Sequence, residues 1–172
     1  MPAKPKKYSD IPESVHDKIV SEAAIEIVGD YGLGKLVILA NAAKKPEHRI
    51  TSFEKINIVR KGINKSDLEL LKKKAALDYT SLAKILGVTR ATLINKKSNE
   101  KFGAVLSEKI LSVADLYSYG FEVFGDEELF NQWMHRPNKA IGGYIPYDII
   151  DNQYGREEVK NTIGRIAYGV YS

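Results

Sequence analysis

Asp78-Tyr-Thr-Ser-Leu-Ala-Lys-Ile-Leu-Gly-Val-Thr-Arg-Ala-Thr-Leu-Ile-Asn-Lys-Lys97 reads as two short helices folded back on each other across Gly87. The small Ala83 lets the helices approach closely, Gly87 takes the left-handed turn conformation, and Val88 fills the space beneath it. Leu82, Leu86 and Leu93 supply a shared core, and Thr89 caps a second helix that opens on Arg90 and closes with Asn95, Lys96 and Lys97. This is the grammar of a helix-turn-helix, in which the second helix sets side chains against base edges and the surrounding cations lie on phosphates. Thr89, Arg90, Thr92, Asn95, Lys96 and Lys97 are therefore the candidate DNA contacts. A bare helical hairpin with a solvated basic face is the plainer alternative. Lys96 departs from the motif, standing where an apolar residue is usual. A single copy covers too little DNA to be selective, so dimerisation is implied.

Working outward, the chain reads as all-α with no internal repeat. Met1–Ser9 is a Lys- and Pro-containing tail expected to be disordered. From Pro12 to about Gly29, Val15, Ile19, Ala23, Ala24, Ile27 and Val28 recur at helical spacing, and this helix is a candidate for dimerisation. Leu36–Ala43 reads as helix, with a short strand as the alternative, and Lys44–Arg49 reads as a loop. Phe53, Ile56 and Val59 form a stripe on a helix over Ser52–Arg60 that Gly62 ends. Ser66 opens the next, acidic in its first turn and basic at Lys72–Lys74 in its last, an order that complements the helix dipole. After a loop over Ser98–Gly103, the stripe Ile110, Ala114, Tyr117, Phe121 marks a longer helix from Ser107 to near Gly125. Asp126 caps another, with Leu129, Phe130 and Trp133 expected inside, and Pro137 prevents its continuation. Pro146 suits a first helical position. A last helix over Arg156–Tyr168 turns Val159, Ile163, Ile166 and Ala167 inward, carries Glu157 and Glu158 in its first turn, and is capped by Gly169.

Charge divides the chain. Met1–Lys101 holds 20 Lys and Arg against 12 Asp and Glu, and Phe102–Ser172 holds 6 against 10. A positive first half and a negative second half suit a polyanion at one end and a different partner at the other. Seven of the ten tyrosines lie in the acidic half, where they serve either core or interface. With no cysteine there are no disulfides or thiolate metal sites, which fits a reducing cytoplasm. No apolar run reaches membrane-spanning length, and the basic N-terminus lacks the apolar core of a signal peptide. Gly29–Lys35 lacks dinucleotide-loop spacing and reads as a helix terminus and turn. His16, His48 and His135 are scattered and expected at the surface, and no nucleophile–base arrangement is recognisable. The expectation is a protein without an active site, metal or cofactor.

The last third is punctuated in a way a generic helical domain does not need. Val123-Phe124-Gly125-Asp126 is followed by Trp133, Arg136-Pro137-Asn138, Gly142-Gly143, Pro146, Tyr154-Gly155 and Gly164-Arg165-Ile166-Ala167-Tyr168-Gly169-Val170-Tyr171-Ser172. Upstream stand Ile58-Val59-Arg60-Lys61-Gly62-Ile63, Leu82-Ala83, Leu86-Gly87-Val88-Thr89, Thr92-Leu93 and Leu106-Ser107-Glu108. This ordered set, from Ile56 to Ser172, resembles the antitoxins of the Xre/ParS/MbcA family, whose partners include RES-domain toxins. The resemblance implies a basic half that binds and represses the operon's own promoter. It also implies an acidic half that binds a toxin which consumes NAD or transfers ADP-ribose from it. The family's last helix and terminus block the toxin's cleft, so the carried-over inhibitory residues are Arg165, Ile166, Tyr168, Gly169, Val170, Tyr171 and Ser172. Independently, exposed apolar residues after Gly169 make sense when a partner buries them. Gly142-Gly143, Pro146 and Trp133 are expected to build scaffold.

The organisation expected is a tail over residues 1–9 and a helical extension over 10–51 that is a candidate for dimerisation. A helix-turn-helix region over 52–103 and a small helical toxin-binding domain over 104–172 follow. The expected partners are a RES-type toxin, operator DNA and a second copy of the chain, with no membrane. The alternatives are a stand-alone transcription regulator whose C-terminal half senses a ligand or protein, and a small enzyme with an unrecognised site.

Overall fold

A computed structural model describes residues 36–169. The expected tail, the Val15–Val28 helix, the Gly29–Lys35 turn, His16 and Val170–Ser172 lie outside the described residues. Among those described, the secondary structure is helical apart from one isolated antiparallel bridge, Asn64 to Lys101.

The helices begin where short polar side chains can take up orphan amides. α1 (Ser52–Lys61) opens on a capping box: Thr51 accepts from the Glu54 amide, while Glu54 accepts from the Thr51 amide at 2.8 Å. α2 (Lys65–Lys74) is capped by Asn64 and α3 (Tyr79–Leu86) by Asp78. α4 (Arg90–Ile94) is capped by Thr89. α5 (Ala104–Phe124) follows Gly103, and α6 (Glu127–Met134) is capped by Asp126. The short α7 (Pro146–Ile149) has Pro146 in its first turn, and α8 (Gln153–Ala167) is capped by Asn152. Single 3-10 turns stand at Glu47–Arg49 and Lys139–Ile141.

α5 is the axis of the packing. It touches α1, α3, α6, α8 and the Glu47–Arg49 turn, and one continuous buried cluster runs from Ile38 through Leu82, Leu93, Ile110 and Phe130 to Ile163. The rings of Tyr117, Phe121 and Phe130 meet edge to face at 5.5–5.9 Å. Such pairs add roughly 0.5–1.5 kcal/mol each beyond area burial. Gly120 lets α5 approach Phe130, since a Cβ there would stand 2.2 Å from the ring.

Several expectations are corrected. Leu36–Ala43 is neither helix nor strand: beyond Leu36 it is bends and turns, with Ile38 and Leu39 fully buried. Their amides donate to the buried Glu47 carboxylate at 3.0 and 2.7 Å, so a side chain satisfies backbone that no helix or sheet does. The Phe53–Ile56 stripe faces water, with Phe53 81% exposed, and no residue of α1 is fully buried. On α6 the buried residues are Phe130 and Met134; Leu129 is exposed and Trp133 is half-buried against Phe124 and Phe130. On α8, Val159 and Ile163 are buried as expected, while Ile166 is half-buried and Ala167 is exposed. Because α8 begins at Gln153, Glu157 and Glu158 lie beyond its first turn, where they bond Gln153 and Arg165 instead.

Candidate DNA and partner interfaces

The turn between α3 and α4 follows the chemistry of its residues. Gly87 sits at φ 64°, and the Val88 amide donates to the Ala83 carbonyl at 3.0 Å. Leu82, Ala83, Ile85, Leu86 and Leu93 are buried beneath it. Thr89 accepts from the Thr92 amide at 3.2 Å, and the two hydroxyls bond each other at 2.8 Å. α4 stops at Ile94, one turn shorter than the sequence suggests, because the Lys65 ammonium donates to the Ile94 carbonyl at 2.6 Å. Asn95 is the C-cap, and Lys96 and Lys97 follow on a loop rather than closing the helix. Thr89, Arg90, Thr92, Asn95 and Lys97 are exposed and close together in the chain. Lys96 is half-buried with its ammonium 5.6 Å from the centre of the Phe102 ring, so its stem replaces the apolar residue expected there.

Three lysines around the motif have an internal use. Besides Lys65, Lys109 donates to the Leu86 carbonyl at 3.0 Å and Lys101 to the Lys61 carbonyl at 2.9 Å. Each satisfies a carbonyl at a helix C-terminus, where the dipole favours a cation. Lysine counting could not separate these from residues available to phosphate.

The acidic half presents α8. Its inner face, Gly155, Val159, Thr162 and Ile163, is buried. Gly155 is required there, because a Cβ would fall 1.6 Å from the Ile149 carbonyl oxygen. The outer face carries Tyr154, Glu158, Asn161, Arg165 and Tyr168 at helical spacing, with Tyr154 82% and Tyr168 84% exposed. Arg165 Nη2 donates to Thr162 Oγ1 at 2.7 Å, Glu158 Oε1 at 3.1 Å and the Ala140 carbonyl at 3.4 Å. This ties the helix to the turn that bears Gly142, Gly143 and the exposed Tyr144. Gly169 follows at φ 66° with open space around it. Of the carried-over inhibitory set, Arg165, Ile166, Tyr168 and Gly169 thus cluster at the end of α8, and Val170, Tyr171 and Ser172 lie outside the described residues.

Two polar clusters join elements distant in sequence. His48 is not a surface residue: its side chain is 7% exposed, its Nδ1 lies 2.8 Å from Ser118 Oγ and its Nε2 contacts Glu122. Ser118 Oγ also accepts the His48 amide at 3.0 Å and reaches the Asp115 carbonyl at 3.3 Å. Burial lowers the His48 pKa despite Glu122. Burial also works to raise the Glu122 carboxyl, but the Arg49 hydrogen bond and the charges of His48 and Arg49 outweigh it and hold it below the usual value. The Ser–His–Glu order resembles a nucleophile row, yet Ser118 is fully buried and accepts the His48 amide, so no substrate reaches it. It is a clamp on α5. In the second cluster, Asp115 is 7% exposed and receives Lys55 from α1 at 2.7 Å and Lys160 from α8. Among the described residues no His, Cys, Asp and Glu side chains gather in threes able to hold a metal. No described helix is long and apolar enough to cross a membrane.

Two family models match. Residues 54–115 match the antitoxin Xre-like helix-turn-helix domain, and residues 120–169 match the antitoxin Xre/MbcA/ParS C-terminal toxin-binding domain. The chain is similar to the Prs ADP-ribosylating antitoxin of Sphingobium sp. (strain YBL2), 26% identical over 141 residues, 76% of this chain and 88% of that one. It is also similar to antitoxin Xre of Photorhabdus laumondii subsp. laumondii, 34% identical over 73 residues, 42% of this chain and 49% of that one. Antitoxin Xre of Yersinia enterocolitica is 22% identical over 119 residues, 68% of this chain and 80% of that one.

Proposed function

The chain belongs to the Xre/MbcA/ParS family of antitoxins, and from that premise we propose that it neutralises a RES-type toxin by occluding its NAD-binding cleft and represses its own operon. The observation that carries the reading is the end of α8. Tyr168 and Gly169 project from a helix whose other face is fully used, inside the stretch that matches a toxin-binding domain. An exposed tyrosine beside an arginine is a common composition for an interface hot spot. Arg165, Ile166, Tyr168 and Gly169, continuing into Val170, Tyr171 and Ser172, form the inhibitory end. The name of the Sphingobium relative speaks of ADP-ribosylation, which supports a partner that handles NAD.

The helix-turn-helix supplies the second activity. Arg90, Thr92 and Asn95 lie on the exposed side of α4 or at its end and read bases; Thr89, Lys96 and Lys97 flank them on phosphates. A two-fold operator requires a homodimer. The chain inhibits by steric cover and performs no chemistry of its own.

Co-expression with the toxin encoded beside it tests the reading. Growth and cellular NAD are preserved by the full chain and lost when Gly169–Ser172 is removed. Protection that survives this truncation overturns the inhibitory-terminus reading.

A further inference from the structure

α1 is well capped at both ends, yet it packs on one edge only. Ile58 and Val59 lean on the core, Lys55 reaches Asp115, and nothing else of the helix is buried. A ten-residue helix is marginal on propensity alone and draws its stability from a covered apolar face. Here the face formed by Phe53, Ile56 and Arg60, at i, i+3 and i+7, is left to water, with Phe53 81% and Ile56 44% exposed. Beside it runs a groove of about 470 Å³ between α1 and α5, with Val59 and Leu111 among its apolar lining. Arg60 and Glu108 also line it, and neither forms an ion pair with a described residue.

One surface thus offers an apolar projection, an apolar recess, the Arg60 cation and the Glu108 anion, the latter within electrostatic reach of Arg156 on α8 but in no ion pair with it. With Lys55 and Asp115 the groove's formal charge sums to zero, which disfavours a polyanion and suits a surface of the same composition. That is the signature of an isologous contact, in which each feature meets its complement across a two-fold axis. We propose that two copies of the chain pair through this face, Phe53 of one entering the groove of the other and Arg60 meeting the partner subunit's Glu108. The inference rests on the homodimer reading above and gives it a location in the half that binds DNA, where two-fold symmetry is needed.

Sedimentation equilibrium and light scattering on the full-length chain test it. The wild type is expected to be dimeric at micromolar concentration. Phe53→Asp is expected to weaken the dimer at least tenfold with unchanged helicity, because the residue is exposed and an acidic side chain suits a helix N-terminus. Arg60→Glu and Glu108→Arg each weaken it, and the double exchange restores it. A wild type that stays monomeric overturns both the homodimer reading and this interface. A dimer indifferent to Phe53→Asp and to both charge reversals overturns the interface alone. So does a Phe53→Asp dimer that has lost toxin or DNA binding, since the face would then belong to that partner.

Discussion

His48 shows what one buried side chain does for a helical protein of this size. Its imidazole bridges the Glu47–Arg49 turn to Ser118 and Glu122 on α5, across about seventy residues of chain. Its pKa is lowered by burial, so as pH falls the unfolded chain takes up the proton first and the folded state loses stability. The window opens near 6.5, the ordinary value for histidine, and runs down to the lowered one. Glu122, also lowered, has the same sign below about 4.5. Glu47 and Asp67 pull the other way, because burial raises their carboxyls and acid relieves that cost. The informative quantity is therefore a difference. Between pH 7.5 and 5.5 the urea midpoint of the wild type is expected to fall more than that of His48→Gln, and equal slopes would contradict the network. Glu47 allows a second check at this scale. Glu47→Ala leaves the Ile38 and Leu39 amides buried without acceptors, and urea melts at pH 7 should record a loss of about 2–3 kcal/mol. Neither role was legible in sequence, since His48 and Glu47 sit in a polar hexapeptide that gives no sign of what folds over it.

At the scale of elements, local chemistry was a good guide to where helices begin and a poor one to what covers them. Thr89, Asp126 and Pro146 stand where their chemistry places them, because capping is decided within four residues. Phe53 and Leu129 keep the right helical phase yet face solvent, because periodicity defines a face without supplying its neighbour. α4 fell short for a similar reason: its stop comes from Lys65, twenty-nine residues upstream. This separates two kinds of lysine. Lys65→Met is expected to cost about 1–2 kcal/mol of stability while leaving the dependence of DNA affinity on salt concentration unchanged, since its ammonium is bonded inside the fold. Lys97→Ala, at an exposed position assigned to phosphate, is expected to lower the slope of log affinity against log salt by about one phosphate contact with little change in stability. Salt titrations of both variants check the assignment. On α8, the sequence flagged Tyr154-Gly155 as punctuation, and the structure gives the reason in the Ile149 carbonyl. Gly155→Ala should displace the start of α8 and, if the end of α8 is the inhibitory surface proposed above, weaken toxin binding from a buried position, which calorimetric titration against the toxin would read.

At the scale of the molecule, the two charges of the chain suggest two modules, but α5 belongs to the interior of both. Ser107, near its start, accepts the Ile63 amide at 3.0 Å, and Lys109 closes α3. Further along, Tyr117 and Phe121 pack on Phe130 of α6, and Asp115 between them holds Lys55 of α1 and Lys160 of α8. A continuous core of this kind unfolds as one cooperative unit, so damage at one end is reported at the other. Trp133 makes the test direct, being the single tryptophan of the chain and packed 5.4 Å from Phe124 and 5.7 Å from Phe130, far in sequence from the helix-turn-helix. Leu82 is fully buried beneath α3 and α4, and truncating such a leucine typically costs about 2–5 kcal/mol. Leu82→Ala is therefore expected to lower the urea midpoint read by Trp133 fluorescence as far as the midpoint read by far-ultraviolet circular dichroism. Modules that unfold independently would leave the Trp133 transition in place while the helical signal split into two steps.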